Sequence, residues 1–454
     1  MGLARLLGTA SIVASTFASP PASCRADEPK GGYAVVISKA TQADPAWNAV
    51  AQALVEKHGG EVIAHDGDLD GALPRLRELF PRFTCFVARP EEAGKAFIAR
   101  VHQTTRRLDD DPYTDTSWGV ITGYTPEAAL RIARLGAPLT VRNVVAGTEV
   151  ALDMCERGRW YSELEKGRMV VKEPGEAPRV AEGPADTTRA LADALAKADL
   201  FVTSGHATER DWQIGFGYRN GTFRCKDGRL YGLDAKKNEI PIDAPAPKVY
   251  LAVGNCLMGH VDGRDAMALA WMNNAGVAQM VGYTDLTWFG YGGWGDLDYF
   301  VEQPGRYTLA AAFLANDHAL IHRLRSGAAG KQDVRGLEYD RDIVAFYGDP
   351  AWEARMADQP KAWDQSLTLS ADLYTLDIVP RRGEASFQPI NTNGSQRGGR
   401  PIIEYLPHRV KDVEIVEGSD LNAVVTDDFI LVPNPGACDP NKVYRVSFRA
   451  RKRD

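Results

Sequence analysis

Cys256 and His206 are the two side chains of this sequence best placed to do chemistry. Cys256 follows the apolar run Val249-Tyr-Leu-Ala-Val253, and His206 follows the similar run Leu200-Phe-Val-Thr203. A thiolate nucleophile needs a base within reach, an exposed position at a strand end, and donors for the oxyanion it creates. Two buried strands of a parallel sheet that release a thiol and an imidazole at their carboxyl edges would meet those needs. Taken singly, Cys256 reads as a small buried hydrophobe and His206 as a scaffold histidine. Their matching positions at strand ends favour a Cys-His pair for acyl transfer.

Other residues offer further chemistry. His260, close after Cys256, would give a third nitrogen or sulfur ligand, and three such ligands are enough for zinc. No second tight ligand pair supports that site. Glu209 and Asp211 would orient His206, bind a basic substrate, or simply face water. The acidic loops carry hard oxygen ligands that suit a structural calcium ion, although no EF-hand spacing occurs. No organic cofactor is expected.

The elements that must position these groups alternate along the chain. Tyr33–Ser38, Glu61–Ala64 and Phe83–Ala88 read as strands, separated by helices over 45–58 and 71–79. A helix over 91–107 and a strand over 118–123 continue the rhythm. A second set follows, with helices over 148–156 and 187–198, the two strands that end near His206 and Cys256, a helix over 265–275 and a strand over 277–282. That alternation predicts a parallel sheet flanked by helices with right-handed crossovers. Beyond Tyr347-Gly-Asp-Pro350 the period falls to two, as in Ser366–Val379, and turns rich in Asn, Gly and Pro separate short runs. The chain therefore divides into an N-terminal α/β unit over 31–140, a second α/β unit over 141–355, and an all-β sandwich over 365–454.

The 454 residues are too many for one ordinary core, and a formal charge of -7 leaves no extended basic surface. Nucleic acid is not an expected partner. Residues 1–26 read as an export signal, with Arg5 before an apolar stretch and a cut near Ala26, and no later stretch is long and apolar enough to span a membrane. The product is expected outside the cytoplasm. Removing Cys24 leaves five cysteines, so at least one thiol stays unpaired within the chain.

Ser204-Gly-His-Ala-Thr-Glu-Arg-Asp-Trp212 and Leu251-Ala-Val-Gly-Asn-Cys-Leu-Met-Gly259 resemble the histidine and cysteine blocks of the gingipain family, in the clan of caspases, legumain and clostripain. Asp111-Pro-Tyr-Thr-Asp115 with Trp118-Gly119, the stretch from Ala266 through Val281-Gly-Tyr-Thr-Asp-Leu-Thr-Trp288, and Gly348-Asp-Pro350 are similar to further family segments. The resemblance implies a caspase-like α/β unit followed by an immunoglobulin-like domain, and hydrolysis of a protein or peptide substrate. Cys256 would be the nucleophile and His206 the acid and base, with the backbone amides of Ala207 and Cys256 holding the oxyanion. Trp288, Tyr283 and Glu209 would contact substrate, and the segment Trp288–Trp294 would form a wall of the primary pocket. A carboxylate such as Asp285, Asp296 or Asp298 would make that pocket selective for basic residues. The family has His-Gly where this chain has His206-Ala207, and a small residue where this chain has Asn255. A register shifted by one residue would put Leu257 in the nucleophile's place; Gly259 favours Cys256. These differences keep a second reading open, a catalytically silent relative that binds protein or glycan.

Overall fold

The apolar runs over 200–203 and 248–252 are buried at every position, as strands covered on both faces must be. They belong to a twelve-stranded sheet, which organises the computed structural model of residues 32–453. The expected leader, residues 1–26 with its cut near Ala26, lies outside the described residues. In chain order the strands of this sheet are β1 (Tyr33–Ser38), β2 (Glu61–His65), β3 (Phe83–Val87), β4 (Ser117–Ile121), β5 (Asn143–Ala146), β6 (Arg157–Tyr161), β7 (Arg168–Lys172), β8 (Arg179–Glu182), β9 (Leu200–Thr203), β10 (Lys248–Ala252), β11 (Val277–Tyr283) and β12 (Val344–Tyr347). Their spatial order is β2-β1-β3-β4-β12-β11-β10-β9-β5-β6-β7-β8.

Most neighbours run parallel, so the fold is mixed α/β with a mainly parallel central sheet flanked by helices, plus smaller antiparallel sheets. The direction reverses in the middle of the sheet. β12 lies parallel to β4 but antiparallel to β11, with Met280 opposite Tyr347. The strands over 33–121 and those over 143–283 therefore form one continuous sheet whose two halves point opposite ways. At the far edge β7 and β8 turn antiparallel.

Two local expectations are corrected. The segment over 148–156 is not a helix; one 3-10 turn at Leu152–Met154 links β5 to β6. Thr148 is wholly buried there and its hydroxyl donates to Glu163, an arrangement that ties the segment to its neighbours and leaves no free helical face. The polar stretch from Lys172 to Pro184 contains a strand, β8, which pairs antiparallel with β7 across a turn.

An antiparallel sheet of four short strands over 211–241 covers β9, and its Trp212 and Phe223 pack on Phe201. The tail is a sandwich of a four-stranded and a three-stranded sheet around Leu376, Ile378, Ile402, Ile430, Val446 and Phe448. Burying such a side chain contributes about 1.5–3 kcal/mol each, enough to give the tail its own core. It is also docked on the α/β unit. Arg397 and Arg400 reach the buried carboxylate of Asp298 at 2.7 and 2.9 Å, and Tyr299 donates to the Pro401 carbonyl at 2.7 Å. Among the described residues no helix is long and apolar enough to cross a membrane.

Candidate active site

β9 and β10 are parallel neighbours in register, with Thr203 opposite Ala252. Backbones so paired lie roughly 4.8 Å apart, so the loops carrying His206 and Cys256 leave the sheet side by side. Asn255 fastens them together. Its amide donates to the Gly205 carbonyl at 3.0 Å, and its side-chain oxygen accepts from the Thr203 hydroxyl. Gly205, at φ 88°, takes the left-handed turn that swings His206 out, a conformation costly for any residue with a Cβ. The His206 imidazole is exposed and lies on the Phe216 ring at 4.9 Å between centroids, making no hydrogen bond to the sulfur.

On the other side, the Thr287 amide donates to Cys256 Sγ at 3.3 Å, which fixes the sulfur at the mouth of its loop. Leu257 follows in the left-handed region at φ 59°. For a branched side chain this conformation costs about 1–2 kcal/mol, and it is held by bonds from Leu257 N to the Asp285 carbonyl at 3.0 Å and from Gly259 N to the Tyr283 carbonyl at 2.8 Å.

Neither the Ala207 amide nor the Cys256 amide has a protein acceptor among the described residues. For Ala207 the reason is geometric. It pairs with Trp212 in a bridge whose bonds belong to the flanking residues, Thr208 N to the Asp211 carbonyl at 2.8 Å and Gln213 N to the His206 carbonyl at 2.9 Å. Ala207 does not need a positive φ, so an alanine is tolerated where glycine was expected. Free backbone amides beside a thiol are what an oxyanion requires.

The pair is supported from behind by residues the sequence did not single out. Glu163 is buried, accepts from the Ser204 hydroxyl, and accepts from Thr148 Oγ1 at 2.6 Å. Thr148 in turn accepts from Asn393 Nδ2 at 3.1 Å. Gly394 lies against Trp294 so closely that a Cβ there would meet the indole at 2.4 Å, and Gly254 touches the other side of the same ring, where a Cβ would meet it at 2.9 Å. One turn of the tail, at 393–394, therefore braces both strand ends, through Ser204 on the His206 side and Gly254 on the Cys256 side. No periodicity marks these residues, because they lie far apart in the chain and act through single side chains.

The remaining expected residues divide. Trp288 is 46% exposed and rests on Tyr339 at 5.4 Å. Glu209 is half-buried, and its carbonyl accepts from Met267 N at 2.8 Å. Asp211 lies 3.6 Å from Arg224. The structure corrects Tyr283 as a substrate contact: it is fully buried, its hydroxyl donating to Asp340 at 3.2 Å and accepting from Gly293 N at 2.8 Å. The segment Trp288–Trp294 is not a loose aromatic loop, since Tyr291–Asp296 forms a short buried helix.

Asp285 is paired with Lys95. Burial alone would push its carboxyl up, but the Lys95 ammonium and the Leu286 amide outweigh this and hold it below the usual range. Asp296 is wholly buried with both oxygens unpartnered, and burial followed by the nearby Asp317 raises it far above that range. Asp298 is buried between two arginines. His206, Cys256 and His260 are not gathered at ligand distance. Among the described residues the group with converging ligand atoms is Asp109, Asp111 and Asp115, within 4.8 Å of one another. The five described cysteines are all free.

No family model and no curated protein matches the chain. Two solved structures are similar. One is the crystal structure of gingipain R, an Arg-specific cysteine proteinase, at TM-score 0.47 and 10% identity over 94% of this chain and 99% of that one. The other is described as the structure of a protease, at TM-score 0.40 and 11% identity over 93% and 95% of the two chains. Likeness of this degree assigns no chemistry to individual residues.

Proposed function

We propose that this chain is an exported cysteine-type endopeptidase. His206 takes the proton of the Cys256 thiol, Sγ attacks the carbonyl carbon of a peptide bond, and the oxyanion is received by the Ala207 and Cys256 amides. His206 protonates the leaving amine, leaving a thioester on Cys256. It then takes a proton from the water that releases the acid product. The observation that carries this reading is the pair of acceptor-free amides at the ends of adjoining parallel strands, beside a sulfur held by the Thr287 amide. A donor so placed contributes on the order of 3 kcal/mol to the transition state.

The exposed imidazole on Phe216 favours a second reading, a peptide-binding relative without turnover. A fluorogenic peptide panel run on the purified chain and on Cys256→Ala separates the two. Turnover that disappears in the variant supports the enzyme, and peptide binding without turnover in either supports the binder. Export is tested by sequencing the N-terminus of the mature protein, which should begin near Asp27.

A further inference from the structure

Of the three carboxylates that the sequence offers for receiving a basic side chain, two are already paired and the third is buried. Asp298 is buried against Arg397 and Arg400, Asp296 is fully buried at the end of the helix Tyr291–Asp296, and Asp285, beside the Cys256 loop, is held by Lys95. Lys95 begins the helix Lys95–Thr105, which packs over the sheet from the N-terminal half. Its ammonium is half exposed, so a cationic substrate group approaching Asp285 would meet a positive charge first.

Large apolar side chains stand exposed next to the thiol and the imidazole. Phe216, in contact with the His206 ring, is 53% exposed, and Leu164, whose backbone borders Gly217, is 56% exposed. Leu286 and Trp288 flank Thr287, the residue bonded to the sulfur, and are 55% and 46% exposed. Large apolar side chains left in water on both sides of a reactive pair gain free energy when an apolar ligand covers them. A lysine or arginine placed against these side chains would lose water and find Asp285 already paired, which leaves Glu209 in the His206 loop as the carboxylate whose removal the test must include.

We propose, building on the peptidase reading, that the cleaved bond follows a neutral apolar residue and that Lys95 enforces this by occupying Asp285. Phe216, Leu286 and Trp288 form the apolar contacts, and Lys95 acts as a specificity-determining residue through Asp285.

The test uses the full purified chain and matched fluorogenic peptides that differ only in the residue before the cleaved bond, Leu, Phe, Arg or Lys. The same side chains are also carried on thiol-directed peptidyl ketones. Leu or Phe peptides are expected to exceed Arg by at least about tenfold in kcat/KM. Lys95→Ala should raise the Arg-to-Leu ratio by about tenfold, whereas Lys95→Arg, which keeps the pair with Asp285, should retain the original ratio. Trp288→Ala should lower the rate on Leu peptides more than on Arg peptides. Labelling of Cys256 together with a preference for Arg that disappears in Glu209→Gln overturns the proposal while leaving the peptidase standing. An Arg-to-Leu ratio insensitive to Lys95→Ala also overturns it. No label on Cys256 and no turnover of any peptide overturns both.

Discussion

The two halves of the central sheet are built alike, yet their strand ends differ in how the backbone is satisfied. After β1 and β3 polar groups close on one another: Ser38 and Thr41 donate to Glu92 at 2.6 Å each, and Glu92 also accepts from Arg89 N at 3.1 Å. After β9 and β10 the chain does the reverse. It leaves the amides of Ala207 and Cys256 unpaired, bends through Gly205 and Leu257, and exposes Phe216 and Trp288. The same α/β scaffold thus yields a sealed edge or an open one, according to whether side chains return to satisfy the backbone. Unsatisfied donors and left-handed bends have a stability cost, which the buried strands beneath offset.

That contrast predicts that changes at the open edge cost activity, and that changes to its exposed groups do so while sparing stability. His206→Ala should lower kcat by about a thousandfold while Tm moves little, because the ring is exposed; this is read from steady-state rates and thermal unfolding. Equal rates in variant and parent would show that the imidazole is a bystander. Asn255→Ala gives a sharper test, since alanine is the kind of small residue the gingipain-like pattern has before its cysteine. If Asn255 is the clamp that holds the His206 loop to the Cys256 loop, kcat/KM falls by about a hundredfold and stability by about 1–3 kcal/mol. If Asn255 marks a decayed site, activity rises instead. Gly394→Ala forces a methyl into the Trp294 indole at a φ of 96°, and should lower kcat about tenfold from a position in the tail. An unchanged kcat would remove the tail from the account of the site.

The strands that carry His206 and Cys256 were legible in sequence because both runs are buried on two faces and read as unbroken apolar stretches. The sandwich tail was legible from its period of two, as in Leu373–Pro380, where buried positions alternate with half-buried ones. The reversal at β12 was not, because a four-residue buried run such as Val344–Tyr347 has no direction until its partners are known. Glu163 and Asn393 were invisible for a different reason: a single polar residue becomes meaningful only when folding brings Thr148 and Ser204 beside it. Tyr283 was misread because an aromatic at the end of a strand has the same sequence signature whether it lines a cleft or props a helix from inside, as its bond to Gly293 shows.

The smallest expected effect on activity lies in the sealed half, where only stability should change. Asp115 is buried at the turn where Asp109 and Asp111 converge on it, and its carboxyl accepts from Leu108 N at 2.8 Å. Burial first, then the charge of Asp109, pushes it up to about 9. In the unfolded chain the same group titrates near 3.9. The folded state therefore keeps a proton that the unfolded chain releases, so the stability associated with Asp115 is complete below about pH 4 and is lost progressively as pH rises towards about 9. Asp115→Asn keeps an acceptor for the Leu108 amide but has no charge to suppress. It should match the parent at pH 4 and exceed it by several kcal/mol, up to about 5, at pH 7–8, with Tm measured across that range. Peptide turnover should not follow the gap in Tm, since the turn at 109–115 belongs to the half whose loops carry neither His206 nor Cys256. A gap that closes as pH rises would mean that Asp115 is charged in the folded protein and that its neighbours stabilise the anion.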